Sequence, residues 1–264
     1  MGVLERNCVR TSGPAGAQPI VFAHGFGCDQ HMWRAVAPAF ADDFFVVLFD
    51  HVGAGGSDLD AYDPDRYSSL DGYATDVLEI VAALGLEDVI FVGHSVSAMI
   101  GALAVNREPG RFAKLVMVGP SPRYVDDGSY VGGFTAADID ELLDSLDSNY
   151  LGWSQAMAPI IMGNDDRPEL GAELTSSFCR TDPEIARRFA RVTFLSDNRA
   201  DLARVAVPTL VLQCRDDVIA PVAVGEYVHR AVRDSELVVL DATGHCPNLS
   251  APAATIAAIS SFVR

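Results

Sequence analysis

The feature that most constrains this chain is the stretch 89–100, VIFVGHSVSAMI. Its first half is a short apolar run rich in β-branched and aromatic residues, which is typical of a buried strand. The run breaks at Gly93 and resumes with small and apolar residues that suit a closely packed helix. A serine at so sharp a strand-to-helix corner predicts a nucleophile elbow that presents the Ser95 hydroxyl. Ser97 stands where the usual motif G-x-S-x-G has its last glycine.

Strands and helices alternate along most of the chain. The apolar runs that predict the strands do not alternate with polar residues. This predicts a mostly parallel sheet with helices on both faces and a single α/β domain over residues 1–264. Helices are predicted over 31–40 and 68–84, the second from its amphipathic spacing. Further buried strands are predicted at 20–23, 44–49, 114–118, 208–213 and 236–240.

Residues from about 121 to 198 break this rhythm, because no buried strand occurs there. The segment predicts a helical insertion, placed as a lid over the site of an α/β sheet. Its large apolar residues are expected partly to hold the lid together and partly to face a cavity. The helices are predicted at 136–148, 153–162, 169–179 and 183–195.

Composition limits the partners. The formal net charge of −17 argues against binding nucleic acid or an anionic membrane, since their phosphates would repel this surface. The five cysteines are scattered without a C-x-x-C pair or zinc spacing, which favours reduced thiols and no metal site. The N-terminus lacks a secretory signal pattern, and no apolar run reaches the roughly 20 residues that cross a bilayer. A cytoplasmic protein is expected.

Catalysis by a serine nucleophile needs a base that takes the hydroxyl proton and an acid that orients the base. Carboxylates follow the predicted strand 208–213, and His245 follows the predicted strand 236–240. Both therefore share with Ser95 the carboxyl edge of a parallel sheet, where such sheets place their sites. The chain order serine, acid, histidine predicts a triad that requires no metal or organic cofactor.

The acid could be Asp216 or Asp217. The spacing Gln213-x-x-x-Asp217-x-x-x-Pro221 favours Asp217, because the proline opens the next helix. His245 is the favoured base, because it alone follows the last strand in a Gly-His pair. The other histidines are expected to be structural or to lie on helices: His24, His31, His51, His94 and His229.

The motif HGFG at 24–27 follows the first buried strand. Its glycines would let the backbone turn so that the N–H of Phe26 points into the site as an oxyanion donor. The second donor would be the N–H of Val96, directly after the nucleophile. Taken alone, the motif is equally compatible with a plain glycine-rich turn.

These motifs together resemble the RsbQ group of α/β-hydrolases. That group comprises bacterial RsbQ, a regulator in the energy-stress branch of general stress signalling, and the plant karrikin and strigolactone receptors. The serine in place of the last elbow glycine is the most specific part of the resemblance. The matching segments are 24–27, 49–53, 93–99, 119–124, 130–134, 149–153, 158–159, 177–183 and 244–246.

The resemblance implies an α/β-hydrolase fold with a four-helix, V-shaped lid over a hydrophobic pocket. It implies slow hydrolysis of a small hydrophobic ester or lactone, coupled to a signalling partner such as the PAS-domain phosphatase of RsbQ. Positions that match pocket-lining sites of the group are Phe26, Val96, Phe134, Trp153, Met157, Phe178, Phe194 and Val218.

Three functions are therefore weighed. The first is a signalling hydrolase of the RsbQ kind. The second is a metabolic carboxylesterase or lactonase without a regulatory partner. The third is a ligand receptor in which turnover is incidental, and the complete triad argues against a pure binding module. Dehalogenase and epoxide hydrolase chemistry is disfavoured, because both need an aspartate in place of Ser95.

Overall fold

The computed structural model describes residues 2–264 and contains one seven-stranded sheet. The strands are β1 (Arg10–Ser12), β2 (Pro19–Ala23), β3 (Phe45–Leu48), β4 (Val89–His94), β5 (Phe112–Val118), β6 (Thr209–Asp216) and β7 (Ser235–Thr243). Their order in the sheet is β1-β3-β2-β4-β5-β6-β7. β1 pairs antiparallel with β3, and every other neighbouring pair is parallel. The predicted mostly parallel sheet is confirmed.

Helices cover both faces of the sheet. They are α1 (Val3–Arg6), α2 (Leu70–Ala83), α3 (Val96–Arg107), α4 (Ala136–Ser148), α5 (Tyr150–Met162), α6 (Pro168–Arg180), α7 (Pro183–Phe194), α8 (Arg199–Leu202), α9 (Val222–Ala231), α10 (Pro247–Ser250) and α11 (Pro252–Val263). No helix within residues 2–264 is both long and apolar enough to span a membrane.

The central strand β4 shows why the sequence pattern lacks alternation. All six of its residues are buried, because helices pack on both faces of the sheet and leave no polar side. Two apolar clusters lie on the two faces, one containing Val92 and Val116 and the other Phe91 and Leu115. β4 therefore ends in the middle of the molecule, and its carboxyl end meets the insertion between β5 and β6.

That insertion contains the four helices α4 to α7, all between the end of β5 and the start of β6. The side chain of Thr135 caps α4 by accepting the Asp138 N–H, and the Asp138 carboxylate reciprocates at the Thr135 N–H. α5 packs against α6, and α4 packs against both α5 and α7. The helices follow the predicted segments closely, with α5 beginning three residues earlier than expected.

The helix predicted over 31–40 is wrong. The structure has two single 3-10 turns instead, Gln30–Trp33 and Ala37–Phe40. Pro38 explains the break, because a proline in a helix interior removes a backbone donor and its ring clashes with the carbonyl four residues earlier. Trp33 is nevertheless fully buried, so the segment still packs against the core.

Candidate active site

Ser95 lies at the junction of β4 and α3, in a backbone conformation that a residue with a side chain rarely adopts. Its φ is 57° and its ψ is −124°. The Ser95 N–H donates to the Val118 carbonyl at 2.8 Å, which fixes the corner to β5. A Cβ on Gly93 would come within 2.3 Å of the Ser97 carbonyl oxygen, so only glycine permits this close approach of helix and strand. The predicted corner is present.

The structure brings Ser95, Asp217 and His245 together. The His245 Nε2 lies 2.8 Å from the Ser95 Oγ, and its Nδ1 lies 2.8 Å from the Asp217 Oδ2. The other carboxylate oxygen of Asp217 accepts the N–H groups of Ile219 at 2.8 Å and Ala220 at 3.1 Å. All three side chains are buried. This is a continuous line of hydrogen bonds from a carboxylate to a hydroxyl.

The charge of Asp217 sets the proton positions in that line. Burial alone would raise the pKa of the Asp217 carboxyl, but the neighbouring His245 and the N–H groups of Ile219 and Ala220 outweigh burial and lower it. The carboxylate is therefore ionised and accepts the proton on the His245 Nδ1. The His245 Nε2 is left free to accept the proton of Ser95.

The backbone of His245 is anchored on two sides. Its N–H donates to the Ile161 carbonyl of lid helix α5 at 2.9 Å. Its carbonyl accepts the His94 Nε2–H at 2.8 Å. Burial, with the nearby His245, lowers the pKa of His94 to about 3, so His94 stays neutral and keeps one proton for this bond. His94 thus holds the base in place.

The two predicted oxyanion donors are free of hydrogen bonds within the described part of the chain. The backbone N–H groups of Phe26 and Val96 have no hydrogen-bond partner among residues 2–264, as an oxyanion hole requires. Gly25 permits the approach of this loop to the elbow, because a Cβ there would come within 2.6 Å of the His94 Nδ1 and 3.2 Å of the Ser95 Cβ.

Ser97 does more than replace a small residue. Its hydroxyl donates to the His24 carbonyl and accepts from the His51 Nε2, 2.7 Å away. The His24 Nδ1 donates to the Gly25 carbonyl at 2.9 Å, and its Nε2 accepts the His51 N–H at 3.1 Å. The hydroxyl therefore ties α3 to the loops after β2 and β3, the first of which carries Phe26.

Comparison with known proteins identifies the family to which this arrangement belongs. The sequence profile described as the alpha/beta hydrolase family matches residues 20–259. The chain belongs to the alpha/beta hydrolase family. It is a serine hydrolase with esterase-like activity.

Individual relatives are similar over almost the whole chain. The karrikin insensitive 2 receptor CA of Petunia hybrida is 41% identical over 96% of this chain and 94% of its own length. The strigolactone esterase D14 of Arabidopsis thaliana is 40% identical over 95% of this chain and 94% of its own length. The solved structure of a hydrolase from Oleispira antarctica superposes with a TM-score of 0.95 at 41% identity, covering 98% of this chain and 95% of that one.

The hydrolase site opens into an apolar cavity between the sheet and the lid. The ring of Trp153 stacks on that of Phe178 at 5.9 Å, and Phe26 packs against both. The volume open to the centre of a water-sized molecule is about 30 Å³. The lining residues are Phe26, Cys28, His94, Ser95, Tyr124, Trp153, Ile161, Leu174, Phe178, Thr193, Phe194, Ile219, His245 and Cys246.

Val218 was predicted to line this cavity, and the structure places it elsewhere. Its side chain is 54% exposed and borders an outer groove with Ile160. The reason is the loop after β6: the Asp217 carboxylate turns inward to His245, so the next side chain turns outward and Ile219 turns inward again. Ile219 is 5% exposed and takes the lining position.

Three other predicted contacts also lie away from the cavity wall. The side chain of Val96 is buried in the core under α3 and does not reach the cavity. Phe134 is half-buried, and its N–H donates to the carbonyl of Tyr124, the residue that reaches the wall instead. Met157 is half-buried on α5 and packs against the core, because the stacked Trp153 and Phe178 close that side. Among the predicted positions, Phe26, Trp153, Phe178 and Phe194 line the cavity.

Sequence reasoning missed several lining residues. Tyr124 is 1% exposed and borders Ser95; burial raises the pKa of its phenol, so it stays protonated as a donor. It stands in the segment 119–124 that carried the resemblance, but nothing in the spacing gave its direction. The remaining missed residues are Cys28, Ile161, Leu174, Thr193, Ile219 and Cys246.

Neither cavity cysteine is suited to act as a nucleophile. Burial raises the pKa of Cys28 to about 12 and that of Cys246 well above its usual value, so both stay thiols. Within residues 2–264, no group of three or more His, Cys, Asp or Glu side chains is placed to hold a metal ion. Ser95 is the nucleophile that the geometry supports.

Two buried histidines, His51 and His94, make the free energy of unfolding depend on pH. Burial holds the pKa of His94 at about 3 and that of His51 well below its usual value in the folded protein. In the unfolded chain, the pKa of each histidine is about 6.5. Below that pH the unfolded state binds more protons, so the free energy of unfolding falls as the pH falls. We expect His51→Gln, measured by urea unfolding, to lose about 1.4 kcal/mol less per pH unit than the wild type between about pH 6 and pH 4.5.

The matched control for that measurement is His31→Gln, because His31 is exposed. Its unfolding free energy should follow the wild-type pH dependence. Glutamine at position 51 keeps an N–H for the Ser97 hydroxyl, so the comparison isolates the titration of the imidazole. Equal pH slopes for His51→Gln and the wild type would contradict the buried neutral histidine.

Proposed function

We propose that this chain hydrolyses small apolar esters or lactones, with Ser95 as nucleophile, His245 as base and Asp217 as the acid that orients it. The observation that carries the proposal is the unbroken hydrogen-bond line of these three residues, which ends at an apolar cavity. Besides the substrate and water, the proposed reaction uses only groups of this chain. We expect it to take place in the cytoplasm.

The geometry supports acyl transfer in two stages. The His245 Nε2 takes the Ser95 proton as the oxygen attacks the carbonyl carbon, and the N–H groups of Phe26 and Val96 bind the developing oxyanion. The tetrahedral adduct expels the alcohol, which receives its proton from His245. Water then enters, gives a proton to His245 and attacks the acyl carbonyl; the adduct expels the Ser95 oxygen, which takes the proton back from His245 as the carboxylic acid leaves. Asp217 stabilises the imidazolium in both stages.

The size of the cavity supports a small substrate. Aromatic and aliphatic side chains surround the nucleophile, and the space open to the centre of a water-sized molecule is only about 30 Å³, so a longer acyl chain has to displace more of the wall. Forcing extra methylene groups into a well-packed protein interior costs about 1–3 kcal/mol of free energy. Short acyl chains should therefore be favoured over long ones.

We expect kcat/KM for p-nitrophenyl butyrate to exceed that for p-nitrophenyl octanoate by about tenfold, measured under the same conditions. Leu174→Ala should narrow this difference, because Leu174 lines the cavity and is not part of the triad. The matched control is Leu143→Ala, since Leu143 is equally buried in the lid but does not line the cavity. Equal kcat/KM values of the wild type for the octanoate and the butyrate would contradict the preference for short acyl chains.

We further propose that this hydrolysis serves signalling of the RsbQ type, with a PAS-domain phosphatase or another signalling protein as partner. Two features support the proposal. Ser97 stands in place of the last elbow glycine, and relatives that are 40–41% identical carry the names of a karrikin receptor and a strigolactone esterase. The alternatives are a metabolic esterase or lactonase and a receptor in which turnover is incidental.

A chromosomal replacement separates the three. In the source cell, the stress-induced transcription that depends on the phosphatase should be lost both in a deletion strain and in a Ser95→Ala strain. Normal output in the Ser95→Ala strain, with loss in the deletion strain, would favour the receptor. Normal output in both strains would favour the metabolic enzyme and contradict the signalling role.

A further inference from the structure

The hydroxyl of Thr193 is a buried polar group without a partner. Thr193 is 1% exposed, lies on α7 and lines the cavity, and its Oγ1 has no hydrogen bond within residues 2–264. Other helical threonines bond to the carbonyl four residues earlier: Thr75 to Asp71 at 2.8 Å, Thr175 to Gly171 at 2.8 Å and Thr255 to Ala251 at 3.0 Å. The default bond of a helical threonine is therefore missing at this position.

The other hydroxyl and imidazole groups at the wall have partners or face protein. Ser95 and His245 are bonded to each other, and the Tyr124 phenol lies against Ser95. The His94 Nδ1 is also unpartnered, but it faces the backbone of Gly25, where an added Cβ would come within 2.6 Å. A buried hydroxyl without a hydrogen-bond partner costs free energy, because it has lost its bonds to water and gained none. Thr193 is therefore a buried wall hydroxyl that a ligand in the cavity can satisfy.

We propose that Thr193 is a second polar recognition point for the substrate, separate from the triad. The inference rests on the proposed hydrolysis of small apolar esters or lactones and narrows that class. The preferred substrate carries one further oxygen, such as an ether, a ring oxygen or a second carbonyl, which accepts a hydrogen bond from the Thr193 hydroxyl. Because Thr193 lies on α7, this oxygen is bound at the α7 side of the cavity. The adjacent Phe194 packs on Tyr124, with ring centroids 4.9 Å apart.

Two pairs of esters that differ by one oxygen test the proposal. p-Nitrophenyl methoxyacetate is compared with the butyrate, and p-nitrophenyl 3-methoxypropionate with the valerate, so that a CH₂ is replaced by O at either of two depths. For each pair, the ratio of kcat/KM values is measured in the wild type and in Thr193→Val. The comparison of variants cancels the different intrinsic reactivities of the esters.

We expect Thr193→Val to lower the oxygen-to-hydrocarbon ratio about three- to tenfold in at least one pair, which is the range that one neutral hydrogen bond gives. Thr193→Ser keeps the hydroxyl and should keep the ratio. Thr175→Val, the same change on α6 away from the cavity wall, should also keep it. Unchanged ratios in both pairs for Thr193→Val would overturn the proposal.

The Tm of the free protein gives an independent readout. Thr193→Val removes an unpaired hydroxyl and should keep or raise the Tm, whereas Thr175→Val breaks a bond and should lower it. A fall in Tm for Thr193→Val as large as that for Thr175→Val would mean that the hydroxyl is bonded within the chain, which also overturns the proposal. A wild type that cleaves none of the four esters would instead refute the proposed hydrolysis itself.

Discussion

The site depends on one strained corner. Ser95 holds a φ of 57° that costs a residue with a side chain about 1–3 kcal/mol, and the surrounding contacts maintain it. The missing Cβ of Gly93 lets α3 press against β4, and the Val118 carbonyl holds the Ser95 N–H. This corner points the hydroxyl at His245 and leaves the adjacent N–H of Val96 without a hydrogen bond within residues 2–264. A relaxed corner would lose the nucleophile and one oxyanion donor together.

Ser97 gives this corner a further connection. A glycine in its place would allow the same close approach but would make no bond, whereas the serine hydroxyl bridges the His24 carbonyl and the His51 imidazole. The loop that carries Phe26 begins at His24. The elbow and the oxyanion loop are therefore linked through one buried hydroxyl, and the departure from the usual motif is a structural feature of the site.

Much of the fold and the triad could be predicted from the sequence. Buried parallel strands produce continuous apolar runs, and their carboxyl ends share one edge, so the order of Ser95, Asp217 and His245 implied their meeting. Side-chain direction in irregular segments leaves no such period. Val218 and Ile219 exchange roles because the Asp217 carboxylate fixes which way the loop turns, and the missing hydrogen bond of Thr193 is a property of the folded helix. The single helix expected over 31–40 failed where Pro38 outweighed the apolar pattern.

The most direct test of the account is where an ester-reactive phosphonate attaches. Mass spectrometry of the intact protein should give one adduct per chain, and peptide mapping should place it on Ser95. The Ser95→Ala variant should gain no mass, while Asp217→Asn should label more slowly, because the His245 tautomer is no longer fixed by an ionised carboxylate. An adduct on any other residue, or equal labelling of Ser95→Ala, would contradict the assignment of Ser95 as the nucleophile.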